Sequence, residues 1–195
     1  LKRGELWMVV LLTTIGTGGF FAWYSYIAPL ITDVAGHPEG FVSYVMILAG
    51  VGMVIGNLIG AKLAEKFSPI YSVIMSMVLM EFALITNAYV AENQIAILIM
   101  TFLIATIAFC LNTPIQMVMI NSAKGSESLG SSMNQSAFNM GNASGAYFAG
   151  LPIAFGYGFT SASLVGAVMA GVGVFIALAI ILIRKRKESA VATAS

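Results

Sequence analysis

The chain has 195 residues, of which 59% are hydrophobic and 9% charged, with a formal net charge of +1. Soluble domains carry about 25% charged residues, so the composition excludes that class, and the near-neutral balance gives no basis for a nucleic-acid surface. With one histidine and one cysteine, a histidine-based metal cluster and a disulfide framework are both ruled out. No catalytic constellation is recognisable, so the expectation is a non-enzyme that uses neither metal nor cofactor.

Crossing a bilayer takes about 20 apolar residues. Six runs qualify, near 6–30, 41–61, 70–90, 95–120, 129–151 and 161–183. Barrel strands would instead show short alternating segments. The expected fold class is therefore all-α membrane protein. Residues 1–188 form a six-helix transmembrane bundle in lipid, and 189–195 a disordered cytoplasmic tail. All nine Lys and Arg fall at the chain ends or in alternate loops: Lys2, Arg3, Lys62, Lys66, Lys124 and Arg184–Lys187. The positive-inside rule then places both termini in the cytoplasm, and the run Arg184–Lys187 reads as a stop-transfer anchor. The first apolar run is too long for a signal peptide and lacks a cleavage site. A start at Leu1 suggests a fragment or a processed domain.

In the first run, Thr13, Thr17, Phe20 and Tyr24 share a helix face. Hydroxyls and aromatics together suit a solute with polar and apolar parts, although threonines in a helix also bond their own backbone. Trp7 reads as an interface anchor. In the second run Gly52, Gly56 and Gly60 form a stripe that lets helix backbones approach closely. Its end, "GNLIGAKLA" from Gly56 to Ala64, returns as "GNASGAYFA" from Gly141 to Ala149, 85 residues later. Pro29 maps onto Pro114 at the same offset. The runs thus pair as two triplets, and an odd number of crossings makes the second enter from the opposite side, giving a three-plus-three inverted repeat.

The third run holds Glu81. An intramembrane carboxylate is costly and is a functional candidate by default, here either a proton-binding group or a structural acid. In the fourth, Asn112 and Gln116 flank Pro114, which can kink the helix, and Asn121 reads as a cap. In the fifth, Gln135, Asn139 and Asn142 fall in one sector with Ser131 and Ser132 nearby. Ala137, Gly141, Ser144 and Gly145 take a roughly opposite face, and Asn134 lies off the amide sector as a helix-contact residue. Amides without partners in hydrocarbon cost several kcal/mol each. This sector therefore meets another helix or a water-filled cavity. The cluster exceeds what interhelical glue needs, which favours a cavity wall.

Three stretches resemble the C-terminal six-helix half of a major facilitator superfamily transporter. They are "YSYIAPLITDVAG" (Tyr24–Gly36), "NTPIQMVMI" (Asn112–Ile120) and "SSMNQSAFNMGNASGAYFAG" (Ser131–Gly150). More narrowly, the chain resembles the drug/proton antiporter branch, which includes sugar-efflux and arabinose-efflux-like permeases. "GAKLAEKF", Gly60 to Phe67, resembles the superfamily's cytoplasmic loop motif G-x-x-L-A-D-R-x-G, with Glu65 and Lys66 keeping the two charges.

The resemblance implies export of a small sugar or drug-like solute by alternating access in exchange for protons, at a bacterial inner membrane. It also implies an N-terminal six-helix half as partner. It points to Thr17, Tyr24, Asn112, Gln116, Gln135, Asn139 and Asn142 as pathway residues, and to Gly60, Glu65 and Lys66 as a cytoplasmic gate. It leaves Glu81 as a proton-coupling candidate on a peripheral helix. An oligomeric channel and a non-transporting membrane scaffold remain open beside this reading.

Overall fold

The computed structural model describes residues 3–123 and 125–192. The expectations for Lys2, Lys124 and residues 193–195 lie outside the described residues. The elements are α1 (Arg3–Tyr24), α2 (Val42–Lys66), α3 (Pro69–Val90), α4 (Gln94–Cys110), α5 (Asn112–Ser122), α6 (Glu127–Ala154) and α7 (Ser161–Ala192). The helices α4 and α5 form one rod interrupted at Leu111, so among the described residues the long elements make six rods. Among the described residues five stretches are long and apolar enough to cross a membrane: Gly4–Tyr24, Glu39–Lys66, Pro69–Val90, Gln94–Ser122 and Ser161–Arg186. The remaining rod, α6, has the length at 28 residues, but its serines and amides lower its hydropathy.

The boundaries follow local chemistry. Pro69 opens α3 at its first turn, where a missing N–H costs nothing. Asn93 caps α4, its Oδ1 accepting from the backbone N–H of Ile95 at 3.0 Å and of Ala96 at 2.9 Å. Pro114 removes the donor that the carbonyl of Cys110 would use, and the rod breaks at Leu111. Upstream of Pro29 the chain behaves alike. The helix α1 stops at Tyr24, and after a turn a short helix at Ile27–Pro29 and a π-helical turn at Leu30–Val34 follow. The first run is therefore interrupted, where one helix was expected through Leu30. The last rod continues to Ala192, past the expected boundary at 189.

At the centre lies α1, packed against α6 and α7 and touching α3, α4 and α5. Leu12, Phe20 and Trp23 are buried there with Met77, Leu84, Ile104 and Ile115. The outer faces are apolar too, with Ile47, Val54, Phe82, Val168 and Phe175 all more than 60% exposed. A water-facing monomer rarely shows so much apolar surface, which suits lipid. Trp7 is exposed near one end, as an anchor would be, whereas Trp23 is fully buried core.

Glycine sets two backbone contacts. Gly56 and Gly60 lie against the carbonyls of Thr106 and Cys110 on the α4 rod, while Gly141 and Gly145 lie against those of Thr14 and Gly18 on α1. Numbers rise together in both pairs, so the helices of each pair run parallel. By contrast, Gly19 meets Gly166 and Gly16 meets Gly173, so α1 and α7 are antiparallel.

The two contacts are equivalent under the repeat, with one correction. Thr14 corresponds to Thr106 and Gly18 to Cys110, pairs 92 residues apart, so Pro29 and Pro114 are not equivalent in the packing. The difference from 85 is seven residues, about two helical turns. That shift preserves the helix face, and so alignment on the prolines looked consistent.

The antiparallel α1 and α7 bring Glu5 and Arg184 to one end of the bundle, where Arg184 donates to Glu5 Oε1 from Nε at 2.8 Å and to Ser122 Oγ from Nη2 at 3.3 Å. Arg184 is thus more than an anchor charge, since it ties α1, α5 and α7 together.

Adding a side chain at Gly145 drives it into the Gly18 carbonyl, whereas Gly50 has open space around it. Gly145→Leu is expected to cost about 3 kcal/mol through overpacking, read as a lower melting temperature in detergent. Gly50→Ala is expected to be neutral or to stabilise by up to about 1 kcal/mol. Equal losses in both would show that the backbone contact does not set the packing.

Candidate functional site

Just after the interruption at Leu111 the rod faces α6. Here Asn112 and Gln116 face Ser131, Asn134 and Gln135, with Phe109 and Phe138 beside them, around a cleft of about 230 Å³. Proline makes this possible by ending α4 just before Asn112, while Gly141 and Gly145 hold α6 against α1 at the distance that leaves the gap. Next to the cleft and sharing Phe109, Asn112 and Phe138 lies an apolar slot, also lined by Thr17, Phe20, Phe21 and Met80. Its free volume is about 10 Å³, so in this conformation the phenyl rings fill it. Phe20 and Phe21 meet edge to face at 5.2 Å, and Phe21 meets Phe138 likewise at 5.1 Å.

The structure brings some sequence candidates together and separates others. Asn112, Gln116 and Gln135 share the cleft. The hydroxyl of Thr17 donates to the Thr13 carbonyl at 2.7 Å and that of Thr13 to the Val9 carbonyl at 2.9 Å. Both threonines therefore spend their hydroxyls on the helix, and Thr17 enters only as part of the slot wall. Tyr24 stacks on Phe20 at 5.1 Å and is half-buried above the slot. Gln135 Nε2 donates to Asn139 Oδ1 at 3.5 Å. Asn139 and Asn142 continue the same exposed face of α6 beyond the cleft, opposite the buried Ala137, Gly141 and Gly145.

Two residues carry more than sequence reasoning gave them. Asn134, read as a helix-contact residue, is 7% exposed and borders the cleft. Asn57, noticed only as part of a repeat, accepts from Asn112 Nδ2 at 3.4 Å and ties α2 to the break. The signal for Asn57 was present, since an amide directly after a helix-packing glycine must sit at the edge of that contact.

The remaining candidates lie elsewhere. The carboxylate of Glu81 sits against Gly171, between α3 and α7. Gly60 packs on the carbonyl of Cys110, the one that Pro114 leaves free. Glu65 and Lys66 are exposed at the end of α2, and Lys66 Nζ lies 5.6 Å from the Phe67 ring. Among the described residues no group of three His, Cys, Asp or Glu could hold a metal, and none of the residues lining the cleft or slot is charged.

A helical bundle with an apolar exterior and a polar cleft at broken helices has the architecture of a membrane transporter half. Comparison with known proteins gives the same class. The chain is 31% identical over 188 residues to the inner membrane transport protein YdhP of Escherichia coli strain K12, covering 96% of the chain and 47% of YdhP. It is 26% identical over 175 residues to the "Probable sugar efflux transporter" of Haemophilus influenzae strain PittGG, covering 90% of the chain and 44% of that protein. The crystal structure of the Escherichia coli fucose:proton symporter FucP superposes with a TM-score of 0.76 at 18% identity, over 90% of this chain and 42% of the symporter. That likeness shows the fold. No family model matches the chain. The chain spans a little under half the length of these relatives, and it is homologous to about one half of a major facilitator superfamily transporter.

The Asn57–Asn112 bond is long, and interhelical bonds of this kind average about 0.6 kcal/mol. A double-mutant cycle of Asn57→Ala and Asn112→Ala, followed by thermal unfolding in detergent, is expected to give a coupling below about 1 kcal/mol. A larger coupling would make the pair a structural bond rather than part of a cleft wall.

Proposed function

We propose that the chain is the C-terminal six-helix half of an exporter in the drug/proton antiporter branch, moving a small uncharged solute out of the cell by alternating access. In this reading all six rods cross the bacterial inner membrane, both termini are cytoplasmic, and an N-terminal half faces the exposed amides of α6. The observation that supports it most is the amide-lined cleft at the α4–α5 break, continuous with Gln135, Asn139 and Asn142. Left against lipid, those exposed amides would cost several kcal/mol each; a second bundle and a solute pathway cover them. The sugar-efflux name of one relative and the sugar carried by the FucP symporter agree with a small polar solute.

Within this mechanism Asn112, Gln116 and Gln135 contact the solute. Asn139 and Asn142 line the path between halves, and Thr17 and Tyr24 shape its apolar side. Exposure of the cleft alternates as one bundle rocks against the other. At the cytoplasmic end Glu65 and Lys66 brace the closed state, while Gly60 fixes the helix that carries them. Glu81 binds the exchanged proton at a distance from the cleft, through the contact of α3 with α7.

Gln135→Leu and Asn139→Leu together are expected to reduce export at least tenfold in the two-half transporter, with insertion and melting temperature unchanged. Unchanged export would remove the pathway assignment. Replacing Glu81 with Gln is expected to flatten the dependence of export on external pH. An unaltered profile would leave Glu81 as a helix-packing acid.

A further inference from the structure

Asn134 is 7% exposed, its Oδ1 is buried without a hydrogen-bond partner, and its side chain borders the cleft. A buried carbonyl oxygen without a donor is a standing cost, and here the residue lies next to a space of about 230 Å³. Rotation about the last side-chain bond exchanges the carbonyl and amino ends of an asparagine. One residue can therefore offer the cleft an acceptor or a donor without changing its volume. A ligand group that satisfies either setting must both give and accept a hydrogen bond, as a hydroxyl does.

The surroundings narrow the ligand further. Asn112, Gln116, Gln135 and Ser131 are uncharged and also two-way in hydrogen bonding. An ion placed among them would lose water without meeting a counter-charge on this wall of the cleft. Phe109 and Phe138 border the same cleft and give it flat apolar walls.

We propose that Asn134 is the specificity-determining residue of the cleft, reading a hydroxyl of an uncharged ring-shaped solute that lays its apolar face against Phe109 and Phe138. The inference rests on the transporter reading above and narrows its solute to a hydroxylated class, against purely apolar or cationic compounds.

The probes are phenyl β-glucoside, its four monodeoxy derivatives and the cationic dye ethidium, tested for binding and flux in proteoliposomes holding the two-half transporter. In the unmodified protein, removal of one hydroxyl is expected to weaken binding at least tenfold, with smaller effects at the others. Asn134→Leu is expected to weaken the parent glucoside by a similar factor and to leave that deoxy derivative unaffected, so that the two losses do not add. Asn134→Ser, which keeps a two-way hydroxyl in a smaller volume, is expected to restore part of the discrimination. Additive losses, or a flat response to all the deoxy derivatives, would overturn the role of Asn134. Saturable flux of ethidium without binding of the glucoside would overturn the hydroxylated class while leaving the carrier reading intact. Ohmic conductance, or no saturable flux of either probe, would overturn both.

Discussion

Two contacts between bare backbones determine where everything else in this bundle can be. Gly56 and Gly60 sit on the carbonyls of Thr106 and Cys110, and Gly141 and Gly145 on those of Thr14 and Gly18. In lipid, apolar side chains gain nothing by leaving one apolar medium for another, so association depends on close packing. Glycine maximises that packing, because a Cβ at any of these four positions would collide with backbone atoms that cannot move alone. The helix α6 is therefore held to α1 by one face only. Its amide face is turned away, and the width of the cleft toward α5 follows from how closely Gly141 and Gly145 allow the other side to approach.

The proline break completes that geometry. Pro114 frees the carbonyl of Cys110 from its helical partner, and Gly60 of α2 comes to rest on the same carbonyl. A side chain at position 60 would deny that approach. An interruption in a membrane-crossing helix is tolerable only where neighbours or polar groups cover the freed backbone. Here α2 covers one side, and Asn112 begins the next helix facing the cleft. The polar site and the interrupted helix therefore have one origin.

Much of this was legible in the sequence, for physical reasons that differ by element. The apolar rods are visible because a bilayer demands length and hydropathy together. The glycine spacing is visible because four residues return to nearly the same helix face. The split of α6 into an amide face and a small-residue face follows from the same periodicity, and Ala137, Gly141 and Gly145 are indeed buried. What the sequence did not yield are properties of pairs. Thr17 has a hydroxyl on the correct face, but only the folded helix shows that the Thr13 carbonyl takes it. Asn134 lies about 100° from Gln135, and a single-helix projection cannot show that it lines the same cleft as Asn112 and Gln116 of α5. Arg184 reads as one of four terminal charges until Glu5 and Ser122, far away in sequence, are found beside it.

The packing frame also shows how the two repeats differ at the amide-lined cleft. Glycine contacts relate α2 to α6 at 85 residues and α1 to the α4–α5 rod at 92. In that frame Asn112 and Gln116 occupy the places of Phe20 and Tyr24, whose rings stack at 5.1 Å. Asn134 and Gln135 occupy the places of Ala49 and Gly50. The first repeat thus carries aromatic and small residues at the positions where the second carries amides. A symmetric backbone fixes where helices touch, while the chemistry that could recognise a solute comes from where the two repeats differ. The glycine contacts lie opposite Gln135, Asn139 and Asn142, so changes at those three can alter recognition without disturbing the frame, whereas Asn134 shares the buried stripe of Ala137, Gly141 and Gly145 and joins recognition to packing.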